Sequence, residues 1–351
     1  AVLKFGVTGQ NPIEAGQELR VQSIIEGSIW QLNERLRVTV QMVNVADEST
    51  LWADKFDEAF TDIFAIQDSI SERIVSALQF RLTGNERKQL TKHETENSTA
   101  YQLYLRALYL MNSLSAETTV QAIAYLEKAI EADPNYALAY TSLFGCMVLV
   151  GMFSAMPPDT FTEKARRLAA KALELDPMLP ASHYSQGFAY LLFDWDFEAA
   201  EKSLLRAIEL NPQDAETHRY YSFYLFIVGR HEEAIREAEF SLELEPTAPV
   251  LIVQLAHTFY FARQYDRAIA MYRKFLEIEP KFQFAHIGLA RSYTEKGMFQ
   301  EAEMVIDDVD EAFQNYPRLI MARGYISAKK GDENSARQAI EKLLEMSKSR
   351  Y

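Results

Sequence analysis

Five prolines restrict what this chain can fold into. Pro134, Pro177, Pro212, Pro246 and Pro280 close the stretches "EADP", "ELDP", "ELNP", "LEP" and "IEP", at intervals of 43, 35, 34 and 34 residues. A proline lacks the N–H that a helix interior needs, and it pushes the preceding residue out of the α region. Each therefore stops a helix at the same point of a repeating unit. Other positions keep the register. Twelve residues before the prolines stand Ala122, Ala165, Ala200, Ala234 and Ala268; five before stand Ala129, Ala172, Ala207, Ser241 and Phe275. Small side chains there let two helices approach closely. A fixed period in the mid-thirties predicts a solenoid of helical hairpins.

Each period holds two amphipathic patterns, here called A and B. In the fifth unit "VLIVQLAHTFYFARQ" gives helix A and "YDRAIAMYRKFLEIE" gives helix B. Ala268, Ile269, Tyr272, Phe275 and Leu276 recur at the three- and four-residue spacing of a buried helix face. Gly229 and Gly297 suit the left-handed position that closes helix A. Seven units are expected, starting near residue 99. The second carries nine extra residues around "GMFSAMPPDTF", and the sixth carries three within "DDVDEAFQNYP". The seventh ends in "LLEMSKSRY" without an evident polar cap, and the sequence opens on Ala1, so a fragment of a longer chain is expected.

Residues 1–85 read differently. "RLRVTVQMV" alternates Leu36, Val38, Val40 and Met42 with Arg35, Arg37, Thr39 and Gln41, which predicts a half-buried strand. "QSIIEGSIWQL" predicts a strand paired to it through a turn at Asn33-Glu34, and "TLWADKF" a third. "IFAIQDSISERIVSALQFRL" predicts an amphipathic helix, with Ile66, Ile70, Ile74 and Leu78 four apart. Upstream, "AVLKF" suits a strand and "PIEAGQELR" a helix. Residues 86–98 form a polar linker before the solenoid at 99–351.

The 34-residue period and its aligned markers resemble the tetratricopeptide repeat (TPR) family over about 250 residues. The front segments "IIEGSIWQLNERLRVTVQMV", "LWADKFD" and "DIFAIQDSISERIVSAL" resemble the TolB-like amino-terminal domain. That domain precedes such repeats in bacterial signalling proteins, among them serine/threonine kinases, nucleotide cyclases and winged-helix regulators. The resemblance implies a mainly α fold: a TPR-type α-solenoid of about seven hairpins behind a small α/β domain truncated at its start.

Little catalytic chemistry is legible. No G-x-x-x-x-G-K-[ST], G-x-G-x-x-G or H-E-x-x-H occurs, and "DDVDE" lacks the glycine and spacing of a calcium loop. His183, His218 and His286 recur at one position of helix A in successive units. Such positions lie too far apart to share a zinc ion, so they are expected to pack. Cys146, the single cysteine, sits in an apolar helix as a small hydrophobe. Trp30, Trp52 and Trp195 are expected as core or interface anchors. No cofactor or metal is expected. A formal net charge of −14 without a Lys/Arg-rich run makes the chain a poor non-specific ligand for nucleic acid or anionic lipid, and no apolar run reaches a membrane span. Compartment is left open.

Stacked A helices line the inner face of such a solenoid. The resemblance implies that positions 2, 5, 9, 12 and 13 of helix A face that groove. Tyr184 and Phe188 then come from unit three; Glu216, Arg219, Phe223 and Phe226 from unit four; Val250, Val253, His257, Tyr260 and Phe261 from unit five; and Phe284, Ile287, Arg291 and Glu295 from unit six. An aromatic, apolar groove with a few charges implies a protein or peptide partner, with a second copy of the chain as an alternative. The same side chains would also serve packing between neighbouring A helices.

Overall fold

A computed structural model describes residues 11–19, 21–32, 35–59, 75, 93–111, 115–152, 158–309 and 315–350. The chain divides into two compact units, residues 1–103 with 129–136 and residues 104–128 with 137–351.

In the first unit, helix α1 (Pro12–Glu18) precedes strands β1 (Ser23–Leu32), β2 (Arg35–Asn44) and β3 (Thr50–Ala59), paired antiparallel in the order β1-β2-β3. Asn11 caps α1 by accepting from the Ile13 N–H at 3.0 Å, and Pro12 stands where an N–H would be idle. Leu32 pairs with Arg35 at the end of the ladder. The alternation on β2 sets the layer: Val38, Val40 and Met42 are buried, while Arg37 and Thr39 are exposed. Val38, Val40 and Phe56 form a small core with Trp52 against it. Glycine at 16 lets α1 approach the sheet, because a Cβ there would stand 2.6 Å from a Val45 methyl carbon. The strand expected at residues 1–5 and the helix expected over 63–82 lie outside the described residues, apart from Val75, which is helical.

Among the described residues, seven successive pairs of helices follow along the chain. They are α2 (Ser98–Met111) with α3 (Ala116–Ala132), α4 (Ala137–Met152) with α5 (Pro158–Leu175), α6 (Pro180–Ala189) with α7 (Phe197–Leu210), and α8 (Ala215–Ile227) with α9 (His231–Leu244). Then come α10 (Pro249–Phe261) with α11 (Tyr265–Ile278), α12 (Gln283–Glu295) with α13 (Phe299–Asp307), and α14 (Pro317–Lys330) with α15 (Glu333–Arg350). Within the second unit each A helix packs on its own B helix, and each B helix packs on the A helix that follows. Successive A helices also pack on one another from α4 to α14, whereas B helices do not pack on B helices in the same way. The A helices therefore form one continuous packed face, the face on which the groove is expected.

The register residues explain the spacing. Ala122, Ala165, Ala200, Ala234 and Ala268 are all 0% exposed, and Ala129, Ala172, Ala207, Ser241 and Phe275 are at most 1% exposed. At the first of these positions a methyl group fills the contact in all five units, while the second also takes Ser241 and Phe275. Ser241 keeps its place by donating its hydroxyl to the Ala215 carbonyl at 2.7 Å. Before each of the first three prolines, Asp133, Asp176 and Asn211 accept from the N–H two residues on, at 3.0, 2.8 and 3.1 Å. These Asx turns fix the bend that proline begins.

The opposite turn, from A to B, has its own register. Trp195, Gly229, Arg263, Gly297 and Gly331 all have positive φ and stand 34 residues apart. The next residue's N–H returns to a carbonyl five back in four of them: Arg230 to Leu225, Gln264 to Phe259, Met298 to Tyr293 and Asp332 to Ser327. This is the helix-ending closure expected for Gly229 and Gly297. Trp195 follows a π-helical turn over Tyr190–Asp194.

Candidate partner-binding site

Of the expected groove residues, Tyr184, Phe188, Phe223, Phe226, Tyr260 and Phe261 join one aromatic run along the A helices, linked through Tyr220. Tyr184 stacks on Tyr220 with centroids 4.5 Å apart, and Phe188 meets Tyr220 edge-on at 4.8 Å. Phe188 meets Phe223 at 4.9 Å, Phe223 meets Phe226 at 4.7 Å, and Phe226 lies flat on Phe261 at 4.8 Å and 6° from parallel. Phe261 abuts Tyr260 at 5.4 Å, and the Arg291 guanidinium lies over the Tyr260 ring at 4.6 Å. The run crosses α6, α8, α10 and α12. Each pair contributes about 0.5–1.5 kcal/mol beyond area burial.

Exposure sorts these residues. Val253, Ile287, Phe188, Phe226 and Phe284 are buried, so their main contribution is packing between A helices. Tyr184, Arg219, Phe223, His257, Tyr260 and Arg291 are half-buried, and Phe261 is 41% exposed. Phe284 stands apart from the run, among Phe282, Tyr316 and Arg318.

The polar members fall into two settings. Arg219 is neutralised in place: its Nε and Nη2 donate to both carboxylate oxygens of Glu216, at 2.9 and 2.6 Å. Burial opposes its charge, but Glu216 and the adjacent Tyr220 hold the guanidinium pKa above its usual value. His257 is the reverse case. Its Nδ1–H donates to the Val253 carbonyl at 2.8 Å, which leaves Nε2 as a lone-pair acceptor. Desolvation pushes the imidazole down to about 4 against the pull of that hydrogen bond, and the charges of Arg291 and Arg318 act in the same direction.

Counting 34 residues from Phe284, Ile287 and Arg291 reaches Arg318, Met321 and Tyr325 on α14. The sequence reading stopped at the sixth unit and missed them, although the period alone locates them. Arg318 lies over the Phe284 ring at 5.3 Å, Met321 is exposed, and Tyr325 donates to Glu295.

Residues with other expected roles are placed as follows. His183 and His218 each donate from Nε2 to the carbonyl of the repeat proline six residues back, at 2.8 and 3.1 Å. His286 instead donates from Nδ1 to Phe282 at 3.2 Å. Cys146 is buried, and burial pushes its thiol up to about 12. Of the three tryptophans expected as core or interface anchors, Trp52 joins a core, while Trp30 and Trp195 are 72% and 74% exposed and so are not core residues.

The class of fold is therefore a TPR-type α-solenoid accompanied by a small three-stranded sheet. Models of the tetratricopeptide repeat match residues 260–324 and, separately, 121–136 and 317–350. Among curated proteins, the chain is 30% identical to "Putative adenylate cyclase 3" of Rhizobium meliloti over 189 residues, 53% of this chain and 32% of that protein. It is 30% identical to the "Transcriptional regulator HilA" of Salmonella typhimurium over 176 residues, 49% of this chain and 31% of that one. The chain thus spans about a third of the length of these relatives. Among solved structures, an IFIT1 monomeric mutant with Gppp-AAAA superposes with a TM-score of 0.57 at 16% identity, covering 81% of this chain and 63% of that one. The Cut9 and Hcn1 assembly of the APC/C superposes with a TM-score of 0.50 at 16% identity, covering 76% and 52%. At such identity these two establish the fold alone. No helix among the described residues is long and apolar enough to cross a membrane.

Proposed function

We propose that this chain is a non-catalytic protein-interaction module that binds an extended peptide or a helix of a partner along the inner wall of its A helices. The observation that carries this reading is the aromatic run from Tyr184 to Phe261, which reaches solvent at Phe223 and Phe261. Rings held on packed helices form a surface that exists before the partner arrives, so little ordering entropy opposes binding. Resemblance to TPR proteins such as the "Hsp70-Hsp90 organizing protein 1" of Glycine max, 27% identical over 139 residues, supports partner binding.

The module is read as the regulatory portion of a longer bacterial signalling protein, with any cyclase, kinase or DNA-binding output outside these residues. The partial matches to a cyclase and a transcriptional regulator support this. The TolB-like reading of the front unit belongs to the same proposal. Selection of phage-displayed peptides on the whole chain tests the groove. Phe223→Ala and Phe261→Ala are expected to weaken the selected peptides about tenfold or more, as loss of aromatic anchors does. Unchanged affinity in both variants would place the binding elsewhere.

A further inference from the structure

The A-to-B turn of the third hairpin departs from its counterparts. Trp195 takes the positive-φ position, at 56°, that Gly229, Gly297 and Gly331 fill in later hairpins, and a π-helical turn over Tyr190–Asp194 leads into it. A side chain in that region costs free energy that glycine avoids. Packing returns little against that cost: the Trp195 ring is 74% exposed, more than any other large apolar side chain among the described residues. Phe197 stands edge-on to it with centroids 6.4 Å apart and is 39% exposed. Folding of this chain gives no reason to place tryptophan at a turn that favours glycine. A paired, solvent-facing tryptophan and phenylalanine have the character of an anchor for a partner.

The polar setting selects the partner. All five residues from Asp194 to Glu198 are exposed, and carboxylates alternate with rings: Asp194, Trp195, Asp196, Phe197, Glu198. Asp194 is paired, with Arg166 Nη2 at 2.7 Å. Asp196 caps α7 by accepting from the Ala199 N–H at 3.0 Å, and neither Asp196 nor Glu198 has an ion-pair partner among the described residues. These two carboxylates outweigh the roughly half positive charge at the start of α7. The local potential is therefore negative, as is the charge of the whole chain at −14. The face of an aromatic ring attracts a cation, and tryptophan does so most strongly. A guanidinium suits this place, because it stacks on a ring while its in-plane N–H groups donate to a carboxylate. An anionic segment is repelled at the same point.

We propose that this turn is a docking site, separate from the groove, for a basic segment of a partner protein, with an arginine stacked on Trp195 and an apolar neighbour against Phe197. Asp196 and Glu198 receive the N–H groups of the arginine. The negative charge of the chain speeds encounter with such a segment, and the ring pair fixes its register.

The test uses the whole chain carrying 5-fluorotryptophan, whose three indoles give three fluorine signals. Trp195→Gly identifies the signal of the turn by its loss. The probes are fluorescein-labelled peptides with one central leucine flanked by arginine, by glutamine or by glutamate, and binding is read by anisotropy. The arginine peptide is expected to bind about tenfold more tightly than the glutamine peptide and to move the Trp195 signal alone. The preference should shrink as salt is added. Trp195→Gly should weaken the arginine peptide about fivefold or more and leave the thermal midpoint unchanged or raised. Asp196→Asn, which keeps the helix cap, combined with Glu198→Gln should erase the preference. Binding that survives both variants, or that moves the Trp30 or Trp52 signal instead, would be diffuse attraction to an acidic chain and would overturn the proposal. Equal binding of the three peptides, or binding of none, would overturn it as well. A dimer seen in sedimentation and abolished by Trp195→Gly would make the occupant a second copy. A Trp195 signal moved by phosphatidylcholine vesicles but not by the arginine peptide would make it a lipid surface, and either result sinks the basic segment.

Discussion

His218 is clasped by two acceptors: its Nδ1 lies 2.6 Å from Glu237 Oε2, and its Nε2 lies 3.1 Å from the Pro212 carbonyl. Both nitrogens must carry hydrogen to satisfy both acceptors, which is the charged imidazolium. Burial opposes that charge, but the hydrogen bond to Glu237 and the backbone bond to Pro212 outweigh it, so the pKa is raised above its usual value. A folded pKa above the unfolded one means that the native state holds the proton more tightly. The stabilisation is complete below about 6.5, the unfolded value, and is lost as pH rises through the folded pKa. Thermal midpoints of wild type and Glu237→Gln, followed from acid to mildly alkaline pH, should converge as pH rises. A gap that stays constant would assign Glu237 a purely packing role.

Arg263 occupies the left-handed position that glycine holds at Gly229, Gly297 and Gly331, with φ of 60°. A Cβ in that region costs roughly 1–2 kcal/mol, offset by about 0.4–1 kcal/mol of extra chain entropy for glycine in the unfolded state. Arg263→Gly should therefore stabilise by up to about 1 kcal/mol. Gly229→Ala, with open space around its Cα, should destabilise by about 1 kcal/mol through φ alone. Urea midpoints at constant m-value check both, and the opposite order would remove the backbone explanation.

Gly288 leaves no room for a side chain, because a Cβ there would fall on the Tyr272 ring. The Tyr272 hydroxyl is buried with no hydrogen-bond partner among the described residues. Gly288→Ala is expected to cost about 1–3 kcal/mol as overpacking. Tyr272→Phe, which removes an unpaired buried hydroxyl, should be neutral or mildly stabilising, and should soften the Gly288→Ala defect in the double variant. Simple additivity in that cycle would argue against the clash.

Packing and recognition separate along the wall. Val253→Ala and Ile287→Ala remove buried side chains and should cost about 1–3 kcal/mol of stability. Phe261→Ala, at an exposed position, should cost only its ring pairs with Phe226 and Tyr260, about 0.5–1.5 kcal/mol each, while weakening any groove ligand. A large stability loss at Phe261 would return that ring to the core.

Much of this was legible because proline and small residues act locally. Pro134 to Pro280 fix helix ends, and Ala122 to Ala268 fix contacts that a methyl group fills. The alternation on β2 likewise named Val38, Val40 and Met42 as one face. What stayed hidden needed distance information. Arg219 and Arg291 read alike as charges on helix A, yet only Arg219 has a carboxylate one turn earlier that turns toward it. Trp195 reads as a core or interface residue by type, and only the structure places it at the turn position where the chain runs left-handed and the side chain is exposed. Arg263 gave no sign of its backbone conformation, since nothing in an arginine favours positive φ.

Because the main packing among the described residues of the second unit runs from each hairpin to those before and after it, their interfaces act as springs in series. A pull along the stack is divided among all of them, so small slips at each joint add up to a large change in span. Compliance therefore increases with every hairpin added, even though no single joint is loose.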